Sequence, residues 1–132
     1  MILPIQMTVE LVPRTKKNSQ QIIKTNGRTM IVPSKTYREY EKAAGWYIKG
    51  KGICIDYPVN VKAIYYMPTR RRVDLVNLHE ALCDILVKYG VVKDDDSKII
   101  ASMDGSRVEY DKERPRTEIW ITRKEIGNDN DQ

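Results

Sequence analysis

Residues 70–96, RRRVDLVNLHEALCDILVKYGVVKDDD, place three arginines directly before an acidic stretch that ends in three aspartates. Carboxylates suit Mg²⁺, a hard ion that takes oxygen ligands and keeps several of its waters. Arginines neutralise phosphates and make binding to a polyanion strongly dependent on salt. These residue types together are able to support metal-assisted chemistry on a substrate that contains phosphate.

Other side-chain chemistries have few residues to use. His79 is the single histidine, so a histidine-rich metal cage is excluded, whereas a Ser-His-Asp triad is not. We interpret His79 as a packed or partly exposed helix residue. Cys54 and Cys83 have the spacing of neither a zinc knuckle nor a CxxC pair, which fits a reduced, cytoplasmic setting. The formal charge of +5 and the pI near 9.2 favour a polyanionic partner. Carboxylates remain as the candidates for chemistry.

The acidic residues fall on a segment with helical periodicity, residues 74–89. At about 100° per residue, one stripe of this helix is apolar and predicts a core contact, while a second face is polar. A further apolar flank indicates burial against another surface, for which a second subunit is a candidate. The core stripe contains Leu78, Leu82, Ile85 and Tyr89, the polar face Asp74, Asn77, Glu80, Asp84 and Lys88, and the flank Val76, Cys83 and Val87.

Each acidic group also has an ordinary structural interpretation. Asp74 stands where the helix begins, and aspartate is a favoured N-cap. Asp84 and Lys88 can form an ion pair on a solvated face, and three aspartates after a helix are typical of a turn. A straight helix would separate Asp74 from that turn by about 24 Å, from a rise near 1.5 Å per residue. Either a strand carries the aspartates of the turn back toward Asp74, or these aspartates meet only Glu80 and Asp84.

The elements that must position these residues follow from periodicity and turn residues. Asn26-Gly27 between two β-prone runs predicts a hairpin, and Ser34 is the predicted N-cap of a helix over 35–48. Further strands are predicted at 5–12, 59–66, 98–103 and 117–122, the last two as antiparallel partners, with a second helix at 74–89 ended by Gly90. This order predicts an α+β fold, a mixed α/β sheet with two helices packed on it.

The length of 132 residues predicts a single domain, residues 1–126, followed by a polar tail at 127–132 that frays. The N-terminal sequence lacks the features of a signal peptide, and no apolar run approaches the roughly 20 residues of a membrane span. We therefore expect a soluble, cytoplasmic protein with no membrane partner.

The central stretch resembles the RusA family of Holliday junction resolvases, small homodimeric metal-dependent endonucleases that are common in prophages. The family pattern has a basic run, an Asp-x-Asp-Asn motif at the start of a helix, a lysine soon after, a glycine at the helix end and a pair of aspartates. PRTKKNS and GRTMIVPSKTYREY nearer the N-terminus also match, so the resemblance covers nearly the whole chain. The matching positions of the central motif are Arg70, Arg71, Arg72, Asp74, Asn77, Asp84, Gly90, Asp94 and Asp95.

The resemblance implies a homodimeric, Mg²⁺-dependent endodeoxyribonuclease, with Mn²⁺ as a substitute, that resolves four-way DNA junctions by paired symmetric nicks. It implies a bacterial or prophage-encoded protein that acts on branched DNA and needs no small-molecule cofactor. Catalysis is assigned to Asp74 and Asp95, and metal binding to these two residues together with Asp94. DNA binding is assigned to Lys16, Lys17, Asn18, Arg70, Arg71, Arg72 and Asn77.

Two positions depart from the family pattern. Val76 replaces the second aspartate of the motif, and Glu80 stands where the family has its lysine. The two positions are one helical turn apart, and helical side chains lean toward the N-terminus. We therefore hypothesise that Glu80 restores the missing carboxylate and joins the metal-binding and catalytic groups. Two alternatives stay open: a junction-binding protein without cleavage activity, and a broader branched-DNA or flap nuclease.

Overall fold

The computed structural model describes residues 3–16, 20–48 and 54–124 of the chain. These ranges contain a mixed β-sheet, a separate β-hairpin and two helices, neither of which has the length and apolar character to cross a bilayer. The strands are β1 (Ile5–Val9), β2 (Gln20–Thr25), β3 (Arg28–Pro33), β4 (Val59–Met67), β5 (Ile100–Ser102), β6 (Arg107–Tyr110) and β7 (Arg116–Arg123). The helices are α1 (Lys35–Ile48) and α2 (Leu75–Lys88).

The sheet is built around β4. Its strand order is β1-β7-β4-β5, and β6 pairs with β4 beside β5. β7 is antiparallel to both β1 and β4, whereas β5 and β6 run parallel to β4. Because the sheet is mixed and carries two helices, the predicted α+β fold is confirmed.

The predicted pairing between the strands at 98–103 and 117–122 is wrong. β5 and β7 both pair with β4 and lie on its opposite sides. An alternating pattern indicates which face of a strand is buried, but it does not identify the neighbouring strand. The sequence analysis also did not predict β6, a strand of only four residues, all of them exposed.

Side chains from the sheet and both helices share one core. Val61 and Ala63 of β4 lie opposite Ile121 and Ile119 of β7, and all four are fully buried. The apolar stripe predicted for α2 faces this core, with Tyr89 packed at its margin. Its buried members are Leu78, Leu82 and Ile85. The periodicity of residues 74–89 therefore places the polar face of α2 away from the sheet.

Two short-range predictions are confirmed. Asn26 and Gly27 have positive φ angles of 52° and 75°, as both central residues of a type I′ turn require. β2 and β3 form a two-stranded sheet of their own around this turn. At the start of α1 the Tyr37 backbone N–H donates to Ser34 Oγ at 3.1 Å, which is the predicted N-cap bond.

Candidate active site

Asp74 caps the start of α2. Its Oδ1 accepts a hydrogen bond of 3.0 Å from the Val76 backbone N–H, so the N-cap interpretation is confirmed. That bond engages Oδ1, and no described residue engages Oδ2. Val76, at the departing position of the family motif, is 69% exposed, and Asn77 beside it is half-buried. A metal-binding role for Asp74 is compatible with its capping role and stays a prediction.

The segment after α2 re-enters the core before it reaches the aspartates. Gly90 has a φ of 73°, which turns the chain away from the helix axis. Val91 and Val92 are buried, and both backbone N–H groups donate to the carbonyl oxygen of Leu86. Lys93 N–H then donates to the carbonyl of Ile55 at 2.8 Å. These contacts fix the entrance to the aspartate turn.

The aspartate turn is held by its own side chains. The Asp95 backbone N–H donates to Asp94 Oδ1 at 2.8 Å, and the Lys98 N–H donates to Asp96 Oδ1 at 2.9 Å. The Asp96 carbonyl accepts from the backbone of Ile99. The turn interpretation of the three aspartates is thus confirmed, and the side chain of Asp96 serves that turn.

Asp95 shares its surroundings with two other carboxylates. Desolvation raises the pKa of the Asp95 carboxyl, and the hydrogen bond and charge of Asp94 and the charge of Asp84 raise it further. Burial raises the pKa of the Cys83 thiol on α2 to about 12, again with contributions from Asp95 and Asp84. The turn therefore lies within electrostatic reach of the middle of α2, which favours the second of the two arrangements open from the sequence, in which the aspartates meet Asp84.

Lys16 lies in the same acidic neighbourhood. Its Nζ is 2.7 Å from Asp84 Oδ2, and this hydrogen bond raises the pKa of Lys16, with smaller contributions from Glu41 and Glu80. The pair predicted between Asp84 and Lys88 is wrong, because Lys88 reaches across to Glu41 of α1 at 2.6 Å. Lys16 was predicted as a DNA contact, and that role stays a prediction. Lys17 and Asn18, predicted likewise, lie outside the described residues.

The donor chemistry of this neighbourhood fits a hard divalent cation. Asp84, Asp94 and Asp95 offer only oxygen ligands. A bound cation would offset the charges of Asp94 and Asp84, which add to desolvation in raising the pKa of Asp95. Within the part of the chain that the structure describes, no group of three or more histidine, cysteine, aspartate or glutamate side chains lies close enough to hold a metal ion. The ligand set of Asp74, Glu80, Asp94 and Asp95 therefore stays a prediction.

Asp84 is a carboxylate of this neighbourhood that the predicted metal-binding set does not include. It follows Glu80 by four residues on the polar face of α2, so its spacing carried the necessary information. His79, by contrast, is half-buried, and its Nδ1 lies 2.7 Å from the Tyr65 hydroxyl. Burial lowers the pKa of His79, which favours a neutral, packed imidazole. Its interpretation as a packed helix residue is confirmed.

An exposed run of arginines precedes α2. Arg70, Arg71 and Arg72 are exposed, and no carboxylate in the described ranges forms an ion pair with any of them. The Arg70 guanidinium lies 4.2 Å from the centre of the Tyr110 ring on β6. Sequence reasoning missed Tyr110, although the short polar–apolar alternation of residues 107–110, RVEY, is a signal that could have indicated its strand. Arginines that lack a carboxylate partner in the described ranges are suited to bind a phosphate backbone.

The fold, the acidic residues around α2 and the exposed arginine run before this helix are typical of a metal-assisted nuclease. The family model for endodeoxyribonuclease RusA matches residues 10–122. The crossover junction endodeoxyribonuclease RusA of Aquifex aeolicus (strain VF5) is 30% identical over 93 residues, which are 69% of this chain and 71% of that protein. The chain therefore belongs to the RusA endodeoxyribonuclease family, which confirms the resemblance and the predicted enzyme class. Nucleases of this type generally depend on a divalent metal ion.

Proposed function

We propose that this protein is a Mg²⁺-dependent endodeoxyribonuclease that resolves four-way DNA junctions by paired symmetric nicks. The observation that carries the proposal is the placement of carboxylates around α2: Asp74 caps the start of this helix, and Asp95 lies within electrostatic reach of Asp94 and Asp84. An exposed arginine run precedes the same helix. The name of the Aquifex aeolicus relative supports branched DNA as the substrate. Family membership supports hydrolysis of a phosphodiester bond in DNA.

In this proposal the acidic side chains bind the metal ion and the basic side chains bind DNA phosphates. Asp74, Asp94 and Asp95, with Glu80, would hold Mg²⁺, and Mn²⁺ would substitute for it. When bound, such an ion lowers the pKa of a coordinated water and offsets charge on the scissile phosphate. The arginines before α2 neutralise neighbouring phosphates and so allow a polyanion to approach a cluster of carboxylates.

A homodimer suits this substrate, because a two-fold axis presents two equal sites to two symmetric strands. The exposed Val76, with Cys83 and Val87 half-buried beside it, is a candidate contact between subunits. Val76 also favours a second candidate function. An apolar residue at the position of a family aspartate is compatible with a protein that binds junctions without cutting them.

The proposal is tested with a synthetic four-way junction incubated with Mg²⁺, with Mn²⁺ and with EDTA. We expect symmetric nicks in two opposite strands with either ion and intact DNA in EDTA, read on denaturing gels with each strand labelled in turn. Junction binding without product in all three conditions would instead establish the non-cleaving alternative. Equal cleavage of flaps and forks would establish the broader nuclease, and unpaired single nicks would contradict the dimer.

Phosphate contact by the arginine run predicts a change in salt dependence. We expect Arg72→Gln to reduce the slope of log K against log salt concentration by about 0.9 for duplex arms, since one phosphate contact is lost. Arg114→Gln is the matched control, because it removes the same formal charge but Arg114 is already paired with Glu10. The prediction concerns the difference between the two slopes measured by fluorescence anisotropy. Equal slopes for both variants would show that Arg72 makes no phosphate contact.

A further inference from the structure

An open groove lies between the arginine run and strand β6. We call it the β6 groove, and its volume is about 340 Å³. Binding sites for small molecules typically have about 300–1,000 Å³, so the groove has room for a group of that size. It is lined by Thr69, Arg70, Arg71, Val108, Glu109 and Tyr110.

One wall of the β6 groove offers flat and apolar surface. Tyr110 is 40% exposed and Val108 is 36% exposed, and both belong to a strand whose four residues are all exposed. The Arg70 guanidinium lies 4.2 Å from the centre of the Tyr110 ring. Planar guanidinium groups and phenol rings are the surfaces on which nucleic-acid bases stack.

The charges around the groove are arranged to favour an anion. Glu109 is neutralised by Arg107 at 2.6 Å. Asp111, the next residue after β6, is held by Arg116 at 2.8 Å. Arg70 and Arg71 have no such carboxylate partner among the residues that the structure describes, so the groove carries net positive charge next to its aromatic wall.

One wall of the groove is fixed to the sheet, and the other lies close in sequence to the start of α2. β6 is paired with β4 from Arg107 opposite Ile64 to Tyr110 opposite Met67, and the Asp111 N–H donates to the Met67 carbonyl at 2.9 Å. The opposite wall, Arg70 and Arg71, continues within a few residues to the cap of α2. A strand of DNA bound in the groove can therefore continue toward Asp74.

We propose that the β6 groove binds an unpaired nucleotide of the branched substrate. The base of this nucleotide stacks against the Arg70–Tyr110 pair, and Arg71 neutralises its phosphate. This inference rests on the proposed function, because a branch point is where bases of a duplex are most readily unstacked. A fully paired duplex keeps its bases inside the stack and offers the groove only phosphates. Tyr110 is thus a specificity-determining contact that distinguishes single-stranded from duplex DNA.

The test compares the affinity of the full-length protein for a fluorescent single-stranded thymidine oligonucleotide and for a duplex of equal length. Stacking contributes about 1–3 kcal/mol per base, so we expect Tyr110→Ala to weaken single-strand binding about 5- to 150-fold. Duplex binding should stay unchanged, and Tyr110→Phe should retain single-strand binding. Circular dichroism of each variant establishes that the exposed substitution leaves the fold intact.

A second arginine–tyrosine pair provides the control. The Arg123 guanidinium lies 4.4 Å from the centre of the Tyr57 ring, beside the opposite end of β4. Tyr57→Ala should therefore leave single-strand binding at the parental value. Absence of single-strand binding, unchanged binding by Tyr110→Ala, or equal weakening for single strand and duplex would each overturn the inference.

The proposed function is measured separately. The parent protein is tested for nicks in a four-way junction in the same buffer. If the protein nicks the junction but its single-strand binding does not depend on Tyr110, only the proposal for the β6 groove is overturned. Single-strand binding that depends on Tyr110, in a protein that never nicks the junction, would overturn the proposed function and leave the groove as a site for unpaired DNA.

Discussion

Replacement of Asp95 by asparagine is expected to lower junction cleavage at least about a hundredfold while junction binding persists. Asp95 lies beside Asp94 and Asp84, and their hydrogen bond and charges help to raise its pKa. An amide of nearly the same shape preserves the turn, because the hydrogen bond to Asp94 Oδ1 comes from the backbone N–H of residue 95. The substitution therefore removes the negative charge that the proposed metal site needs and leaves the backbone of the turn in place. Single-turnover cleavage with saturating protein separates this loss from weaker DNA binding.

Asp96→Asn is the matched control in the same turn. Asp96 Oδ1 accepts from the Lys98 N–H at 2.9 Å, and an amide oxygen accepts this bond equally well. We expect Asp96→Asn to cleave at the parental rate. Mn²⁺ binding without DNA, measured by electron paramagnetic resonance, should weaken in Asp95→Asn alone. Equal cleavage rates for the two variants would exclude Asp95 from the metal site.

The elements that sequence predicted well are those with local causes. Ser34 at the start of α1 and Asn26-Gly27 between β2 and β3 each determine backbone geometry within a few residues, and both features are present in the structure. The helical period of residues 74–89 likewise identified the buried stripe of α2. These features depend on hydrogen bonds and burial that a short segment supplies by itself.

The features that sequence did not predict depend on partners distant in the chain. Lys88 has Asp84 one turn away, yet it pairs with Glu41 because α1 packs beside α2. Asp84 pairs with Lys16, which is 68 residues away. The neighbour of Tyr110 is Arg70, and nothing in either segment indicates that β6 will lie beside the arginine run. The acidic residues were therefore identified from sequence, whereas the groove and the ion pairs required the fold.

Glu80 is the residue that we expect to compensate for the carboxylate missing at Val76. Val76 is 69% exposed, so packing within the subunit does not explain an apolar residue there. Glu80 is also exposed, and its charge contributes with Asp84 to the raised pKa of Lys16, so its carboxylate lies on the side of α2 that carries the acidic cluster. Position 76 and position 80 are i and i+4 on one helix and can present a carboxylate to the same space.

Glu80→Gln is therefore expected to lower Mg²⁺-dependent cleavage by about 10- to 100-fold, and a second substitution, Val76→Asp, should restore most of the activity. Val76→Asn in the same background is the control, because it matches aspartate in shape but supplies no charge, and it should not restore cleavage. If Glu80→Gln cleaves normally while Asp74→Asn is inactive, the compensation hypothesis is wrong. Rescue by Val76→Asn as strongly as by Val76→Asp would also contradict it, since position 76 would then act through size or polarity and not through a carboxylate that holds the metal.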